Sequence, residues 1–212
     1  MNASRATHLT RTDPEDSSTV PPLPEPTRRL ALTPLRLVDV DDVFRVFSNA
    51  ATWRHLPSGR HTDREQSRRT VEDAEDSWAT AGLGPWAIRV TEASASAGLP
   101  AGTFIGTGGV TMTPASVWNL GYRLSPESWG RGFATELAHA AVDAASALDA
   151  DRPVTARVLS NNPASGTVAV RAGLSLIWEG PSTATVESGM WGQIYSDRDV
   201  SPSEMEWLVA NV

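Results

Sequence analysis

Hydrophobic and polar positions along the chain change period several times. Leu30, Leu32, Leu35 and Leu37 sit among polar residues as in a first strand, interrupted at Pro34. Residues 39–50 switch to helical spacing, with Val40, Val43, Phe44 and Phe47 on one face. Residues 54–61 hold Pro57 and Gly59 and read as a loop. Thr62-Asp63-Arg64-Glu65 fits a capping box, in which a hydroxyl and a carboxylate satisfy free N–H groups at a helix start. The helix behind it carries Val71, Ala74 and Trp78 at helical spacing and closes at Gly82 and Gly84. Three β runs follow, at 86–91, 104–112 and 117–124; the middle one is loosened by Gly106, Gly108 and Gly109. A polar loop over 125–132 leads into a helix over 133–148, with Phe133, Leu137, Ala141, Ala144 and Leu148 on one side. A strand is predicted at 154–159, and Asn162-Pro163 opens a short helix that stops at Gly173. Two last strands are predicted at 174–179 and about 189–196, before a tail holding Trp207 and Leu208. The pattern is α/β in the broad sense, of the α+β kind, and no internal repeat is present.

Before residue 29 there is no period. Residues 1–28 hold Pro14, Pro21, Pro22, Pro24 and Pro26 among Ser, Thr and Asp. A disordered or loosely attached tail is expected over 1–28 and one ordered domain over 29–212. A chain of 212 residues, 40% apolar and 20% charged, can fill one core. The absence of cysteine excludes a disulfide framework, a thiolate metal site and a cysteine nucleophile, and suits a cytoplasmic setting. No apolar run is long enough to span a membrane, and residues 1–26 lack the apolar stretch of a signal peptide. The four histidines show no ligand-like spacing, so no metal is expected. A net charge of −7 argues against general nucleic-acid binding, which needs a basic face. It better suits a cationic or amine-bearing substrate, or simply solubility.

The most informative segment runs from Leu120 to Glu136. A strand enters a loop with two glycines and passes directly into a helix. Such a junction presents backbone N–H groups without intrahelical partners, at the positive end of the helix dipole. Gly130 and Gly132 let the chain turn and let a ligand approach its backbone, and Arg131 adds a charge. The dipole alone contributes only ~0.3–1 kcal/mol at an exposed site, so a phosphate ligand would need several convergent donors. No Gly-Lys-Ser/Thr follows, and the spacing is not that of a dinucleotide fingerprint.

Trp129-Gly130-Arg131-Gly132-Phe133-Ala134-Thr135-Glu136 resembles the acyl-coenzyme A loop of the GNAT acetyltransferases. It is most similar to the branch containing the ribosomal-protein N-terminal acetyltransferases. About thirty residues on, Asn162-Pro163-Ala164-Ser165 leading to Gly173-Leu174 resembles that branch's Asn-x-Ala-Ser segment, with Leu174 replacing a Phe. The resemblance covers about residues 29–196 and is strongest over 119–174. It implies a mixed sheet of about seven strands with about four helices, whose fourth and fifth strands splay apart around the pantetheine arm of acetyl-coenzyme A. It places the cofactor against Tyr122, Arg123, Leu124, Trp129, Gly130, Arg131, Gly132, Phe133, Ala134, Thr135, Asn162 and Ser165.

The implied reaction is direct attack of an amine on the thioester. The oxyanion would be held by backbone N–H groups around Tyr122 to Leu124, one such donor contributing ~3 kcal/mol. Ser165 would stabilise the leaving thiolate, because the position where many family members carry Tyr is Ala169; the competing reading is a hydroxyl capping its own helix. The branch frequently carries a Glu just before its Gly-Tyr, where this chain has Asn119 and Leu120, and Asn cannot accept a proton. A water relay, Glu127 or Tyr195 would take over, or the acceptor is an α-amine, whose pKa near 8 needs little help. His55 and His61 flank the loop where the family lines its acceptor site; by themselves they read as exposed loop residues, and His139 as a solvent-side helix residue. Trp53, Trp86 and Trp118 are either pocket walls or core. The expected acceptor is a peptide N-terminus or a small-molecule amine. The branch's frequent dimers leave a homodimer open. The alternatives are a cofactor-binding sensor without turnover, kept open by Asn119, and a peptide-binding module.

Overall fold

A computed structural model describes residues 27–183 and 190–212. Its seven strands are β1 (Leu30–Pro34), β2 (Trp86–Val90), β3 (Phe104–Met112), β4 (Trp118–Leu124), β5 (Val154–Leu159), β6 (Ser175–Pro181) and β7 (Trp191–Ser196). They form one sheet in the order β1-β2-β3-β4-β5-β7-β6. Neighbours are antiparallel except β4 and β5, which run parallel. The helices are α1 (Val40–Phe47), α2 (Arg64–Ala81), α3 (Phe133–Leu148), α4 (Pro163–Arg171) and α5 (Pro202–Ala210). No helix of the described residues is long and apolar enough to cross a membrane.

The expected mixed sheet is present, and β3, α3 and β5 begin and end where the hydrophobic period places them. Other elements differ from the expected bounds, most by a residue or two, and the larger differences have local reasons. Helix α1 ends at Phe47 rather than residue 50, because the chain tightens into a 3-10 turn whose Ala51 N–H binds Asn49 Oδ1 at 3.0 Å. The capping box of α2 sits one residue later than expected. Asp63 is the N-cap, and Gln66 reaches back to accept from the N–H groups of Thr62 and Asp63 at 2.7 and 3.1 Å. Strand β6 runs two residues longer than expected, to Pro181, and Gly189, where the last strand was expected to begin, lies outside the described residues. Helix α5 is additional to the expected four. Its signal is a box at Ser201-Pro202-Ser203-Glu204, where the Glu204 carboxylate accepts from Ser201 N–H at 2.5 Å.

The sheet separates two cores. On one face Val43, Val46, Phe47, Val71 and Ala74 of α1 and α2 pack on Ala87 and Phe104. On the other, Phe133, Leu137 and Ala141 of α3 and Ala169 of α4 pack on Trp86, Ile88, Leu120 and Val158. The glycines of β3 tighten the sheet rather than loosen it. A Cβ on Gly106 would stand 2.1 Å from the Arg123 carbonyl oxygen, so only glycine lets β3 and β4 approach this closely there.

Thr27 and Arg29 fasten the start of the described chain to α3. The Glu136 carboxylate accepts from Thr27 Oγ1 at 2.5 Å and Arg29 N–H at 3.0 Å, and pairs with Arg29 Nε at 2.5 Å. Burial alone would raise the Glu136 carboxyl, but these bonds and the Arg29 charge outweigh it and hold it below its ordinary 4.5. The clamp is therefore at full strength above that value and is lost as pH falls through the folded value. Because the pair is partly exposed, Glu136→Gln should cost about 1 kcal/mol, or roughly 2–4 °C in Tm at pH 7. Melting curves should show the difference narrowing in acid; equal melting of the two proteins at pH 7 would refute the clamp.

Candidate active site

The site begins where β4 and β5 part. Their pairing holds at Trp118 with Val154 and Asn119 with Thr155, and no further. Each strand then continues alone, β4 to Leu124 and β5 to Leu159. Ser125 N–H is bonded across to β3 at Ile105, while Trp118 N–H points the other way, to Pro153. Strand alternation therefore turns the N–H groups of Tyr122 and Leu124 into the gap.

Two connected spaces occupy the opening. A cleft of about 650 Å³ lies between the β4–α3 loop and α4, and a deeper one of about 230 Å³ lies between the splayed strands. Tyr122, Arg123, His55, Asn162 and Ser165 line both. The larger cleft is also lined by Leu124, Trp129, Gly130, Gly132, Phe133, Ala134 and Thr135. Of the residues expected to meet the cofactor, Arg131 alone lies off this wall. Its side chain turns toward Ser96, with Nη1 at 3.4 Å from the hydroxyl, and its carbonyl accepts from Arg29.

The loop's shape follows from its two glycines. Gly130 and Gly132 have φ of 72° and 77°, the left-handed region that other residues enter at a cost. Gly132 is the N-cap of α3 and, having no side chain, cannot cap it. The first intrahelical bond is donated by Glu136 to the Gly132 carbonyl, so the N–H groups of Phe133, Ala134 and Thr135 remain open at the cleft wall. Trp129 is half exposed and donates its indole N–H to the Leu124 carbonyl at 2.9 Å, which ties the loop to the end of β4.

The opposite wall is the start of α4. Asn162 holds the N-cap position, but its side chain does not cap; its Nδ2 donates to Ser165 Oγ at 3.0 Å. Tyr122 Oη donates to the same oxygen at 3.2 Å. Ser165 is thus not spent on capping its own helix. Its oxygen accepts two bonds, and its own proton has no acceptor among the described residues, leaving it for an atom in the cleft. Burial raises the Tyr122 phenol above 10, only partly offset by the bond to Ser165, so Tyr122 remains a proton donor at neutral pH.

The proposed bases separate clearly. Glu127 is exposed on a 3-10 turn and lines neither cleft. Tyr195 is buried behind α4, its hydroxyl donating to Gln193 Oε1 at 3.0 Å and resting where a Gly166 Cβ would stand. Asn119 accepts from Arg157 Nε at 3.2 Å. His55 is not a plain exposed residue: it is half-buried and lines both clefts. Its pKa is lowered below 6.5, first by burial and then by the Arg123 charge, so it is neutral at pH 7. His61, also expected on the surface, is a core residue. Its Nδ1 lies 2.8 Å from Ser67 Oγ, and its ring packs 4.8 Å from that of Phe47. Trp53, Trp86 and Trp118 are buried, and His139 is exposed as expected.

The net charge proves a poor guide to the cleft. Its charged lining consists of Arg54, Arg123, Arg157 and Arg171, and no carboxylate lines either space.

Residues 29–175 match the acetyltransferase (GNAT) domain family. The fold is similar to that of a GNAT-family acetyltransferase from Bordetella pertussis (TM-score 0.65, 17% identity, covering 81% of this chain and 97% of that one). It is also similar to an acetyltransferase from Agrobacterium tumefaciens (TM-score 0.61, 22% identity, 94% and 99% covered). A third similar structure is a ribosomal L7/L12 α-N-protein acetyltransferase solved with coenzyme A (TM-score 0.60, 17% identity, 82% and 97% covered).

Proposed function

The chain belongs to the GNAT acetyltransferase family and is an acetyl-coenzyme A-dependent acetyltransferase, and from that premise we propose that it acetylates an α-amine by direct attack in a ternary complex. The observation that carries this is the Tyr122–Ser165–Asn162 cluster standing across the strand gap from three open helix-start N–H groups. The loop donors and the nearby guanidinium of Arg171 suit the pyrophosphate of the cosubstrate.

The amine nitrogen attacks the thioester carbonyl carbon, and the oxyanion falls to the N–H groups of Tyr122 and Leu124. Collapse forms the C–N bond and breaks the C–S bond. Ser165 gives its proton to the departing thiolate and recovers one from Tyr122, and the phenolate so formed takes up, through solvent, the proton that nitrogen sheds as the C–N bond forms. The proton that the ammonium loses before attack passes to His55, which lines the cleft in its neutral form and then releases it to solvent. Magnitude favours an α-amine over an alkyl amine. Passing a proton to an imidazole below 6.5 costs roughly 2 kcal/mol from an α-ammonium but about 5 kcal/mol from a lysine-type ammonium.

The test is acetyl-coenzyme A-dependent thiol release with a panel of α-amines and matched ε-amines, across pH. Activity should require an α-amine. With His55 as base, kcat/KM should fall about tenfold per unit of pH below the lowered His55 value, which lies under 6.5. His55→Asn should remove that limb and lower the plateau ~10²-fold. A limb that survived His55→Asn, or vanished in Glu127→Gln instead, would refute this assignment. Binding of acetyl-coenzyme A without turnover on any amine would favour the sensor reading.

A further inference from the structure

The deeper cleft holds two arginines that the protein does not neutralise. Elsewhere the chain pairs its partly buried arginines with carboxylates: Arg89 with Asp39 at 2.6 Å, Arg152 with Asp149 at 3.0 Å and Arg198 with Asp197 at 2.7 Å. Acid is in surplus, with 25 Asp and Glu against 18 basic residues. Yet among the described residues no carboxylate lies within ion-pair distance of Arg123 or Arg157. Arg123 donates to the Thr52 carbonyl, and its guanidinium lies 3.2 Å from the centre of the Trp53 ring. Arg157 donates to Asn119 Oδ1 at 3.2 Å and the Asn211 carbonyl at 2.6 Å, and lies 5.3 Å over Trp207. Every one of these partners is neutral. They orient the two guanidinium groups without cancelling either charge.

Burial pushes the Arg123 guanidinium down to about 10, which still leaves it charged at neutral pH. Desolvated cations without counter-ions are costly, and a ring face offsets only about 2 kcal/mol of that cost. Both side chains leave N–H donors unused, since a guanidinium carries five. Strand alternation puts Arg123 on the same sheet face as Asn119 and Gly121, and Arg157 on that face of the neighbouring strand. Gly121 between them has no side chain, and a Cβ there would meet only Asn119 Nδ2, at 3.8 Å. The floor between the two arginines is therefore open.

Resting on the α-amine reading above, we propose that the acceptor carries an anionic group, a carboxylate or phosphate close to its amine, which docks between Arg123 and Arg157. The anion supplies the missing counter-charge and accepts charge-assisted, bidentate bonds from the two forks. The same contact orients the amine toward the thioester at the strand gap. A small amino acid or amino phosphate and an acidic peptide N-terminus share this chemistry. The volume of about 230 Å³ is close to the former.

The experiment compares kcat/KM for acceptors matched in skeleton: serine amide, serine, O-phosphoserine amide, and the peptide amides Ser-Ala-Ala and Ser-Glu-Glu. The chain has no lysine, so acetylation of its own side chains cannot confuse the readout. Anionic members should exceed their neutral counterparts at least tenfold, chiefly through KM. Arg157→Gln should reduce that ratio to within threefold, and Arg123→Gln should do likewise. Acetyl-coenzyme A binding, followed by calorimetry in each protein, reports whether fold and cofactor cleft are intact. Preference for serine or phosphoserine amide identifies a small acceptor; preference confined to Ser-Glu-Glu identifies an acidic N-terminus. If wild type binds acetyl-coenzyme A and acetylates neutral amides as well as anionic ones, this inference is overturned alone. Absence of acetyl-coenzyme A binding would overturn it together with the function on which it rests.

Discussion

Gly132→Val should weaken acetyl-coenzyme A binding by ~10²–10⁴-fold while the domain remains folded. Gly132 has φ of 77° and occupies the N-cap position of α3. A β-branched residue in that region is strained by ~1–2 kcal/mol or more. Space is not the problem, because a Cβ would meet only the flexible end of Arg29, at 3.4 Å. The chain can relieve the strain by rotating to negative φ, and that rotation re-aims the N–H groups of Phe133, Ala134 and Thr135. Each hydrogen bond to a charged group contributes ~1.5–3 kcal/mol, so losing two of the three gives the stated range. The fold should lose only a few degrees of Tm, since the loop buries little and α3 is held by Leu137, Ala138 and Ala141. Calorimetry and a melting curve on the same sample separate the effects. A folded variant with Kd within threefold of wild type would mean that the loop does not hold the cofactor.

That loop was legible in sequence because its signal is local. Two glycines in three residues, between a β run and a helical run, need no tertiary information to be read as a strand-to-helix junction with free donors. The same holds for α3 and β5, where apolar spacing alone places both ends. Helix α5 was harder. Of its residues only Leu208 is buried, so it has no apolar stripe to find, and its sole local mark is the box between Ser201 and Glu204. Strand alternation also puts Asn119, Gly121 and Arg123 on one face of β4, but it cannot say what covers that face.

What was not legible depends on distant segments meeting. His61 lies beside Pro57 and Gly59 in the chain and looks like a surface loop residue. Closure of α2 onto α1 instead brings its ring between Phe47 and Trp53. Charge behaves in the same way. A total of −7 is a sum over the whole chain and says nothing about a cleft whose charged lining is all arginine. The Tyr122–Ser165 pair is the clearest case. Tyr122 and Ser165 are 43 positions apart, and nothing in either local motif says that their hydroxyls touch.

That contact carries the last prediction. If Ser165 protonates the thiolate and Tyr122 resupplies it, the two act as one unit. Ser165→Ala should lower kcat by ~10²–10³-fold, the range for loss of a positioned general acid. Tyr122→Phe removes the resupply and one of the two bonds that orient Ser165, while Asn162 Nδ2 still holds the hydroxyl at 3.0 Å. Its effect should be smaller, ~10-fold. The double variant should be no slower than Ser165→Ala, because without the serine the phenol has nothing to resupply. Two independent donors would instead multiply, giving a further ~10-fold loss. Leaving-group ability provides a second check. An acetyl donor with a more acidic thiol needs less protonation, so it should restore much of the Ser165→Ala rate and little of a defect in oxyanion binding. Additive losses in the double variant, with no rescue by the better leaving group, would show that Ser165 and Tyr122 position the cosubstrate rather than move a proton.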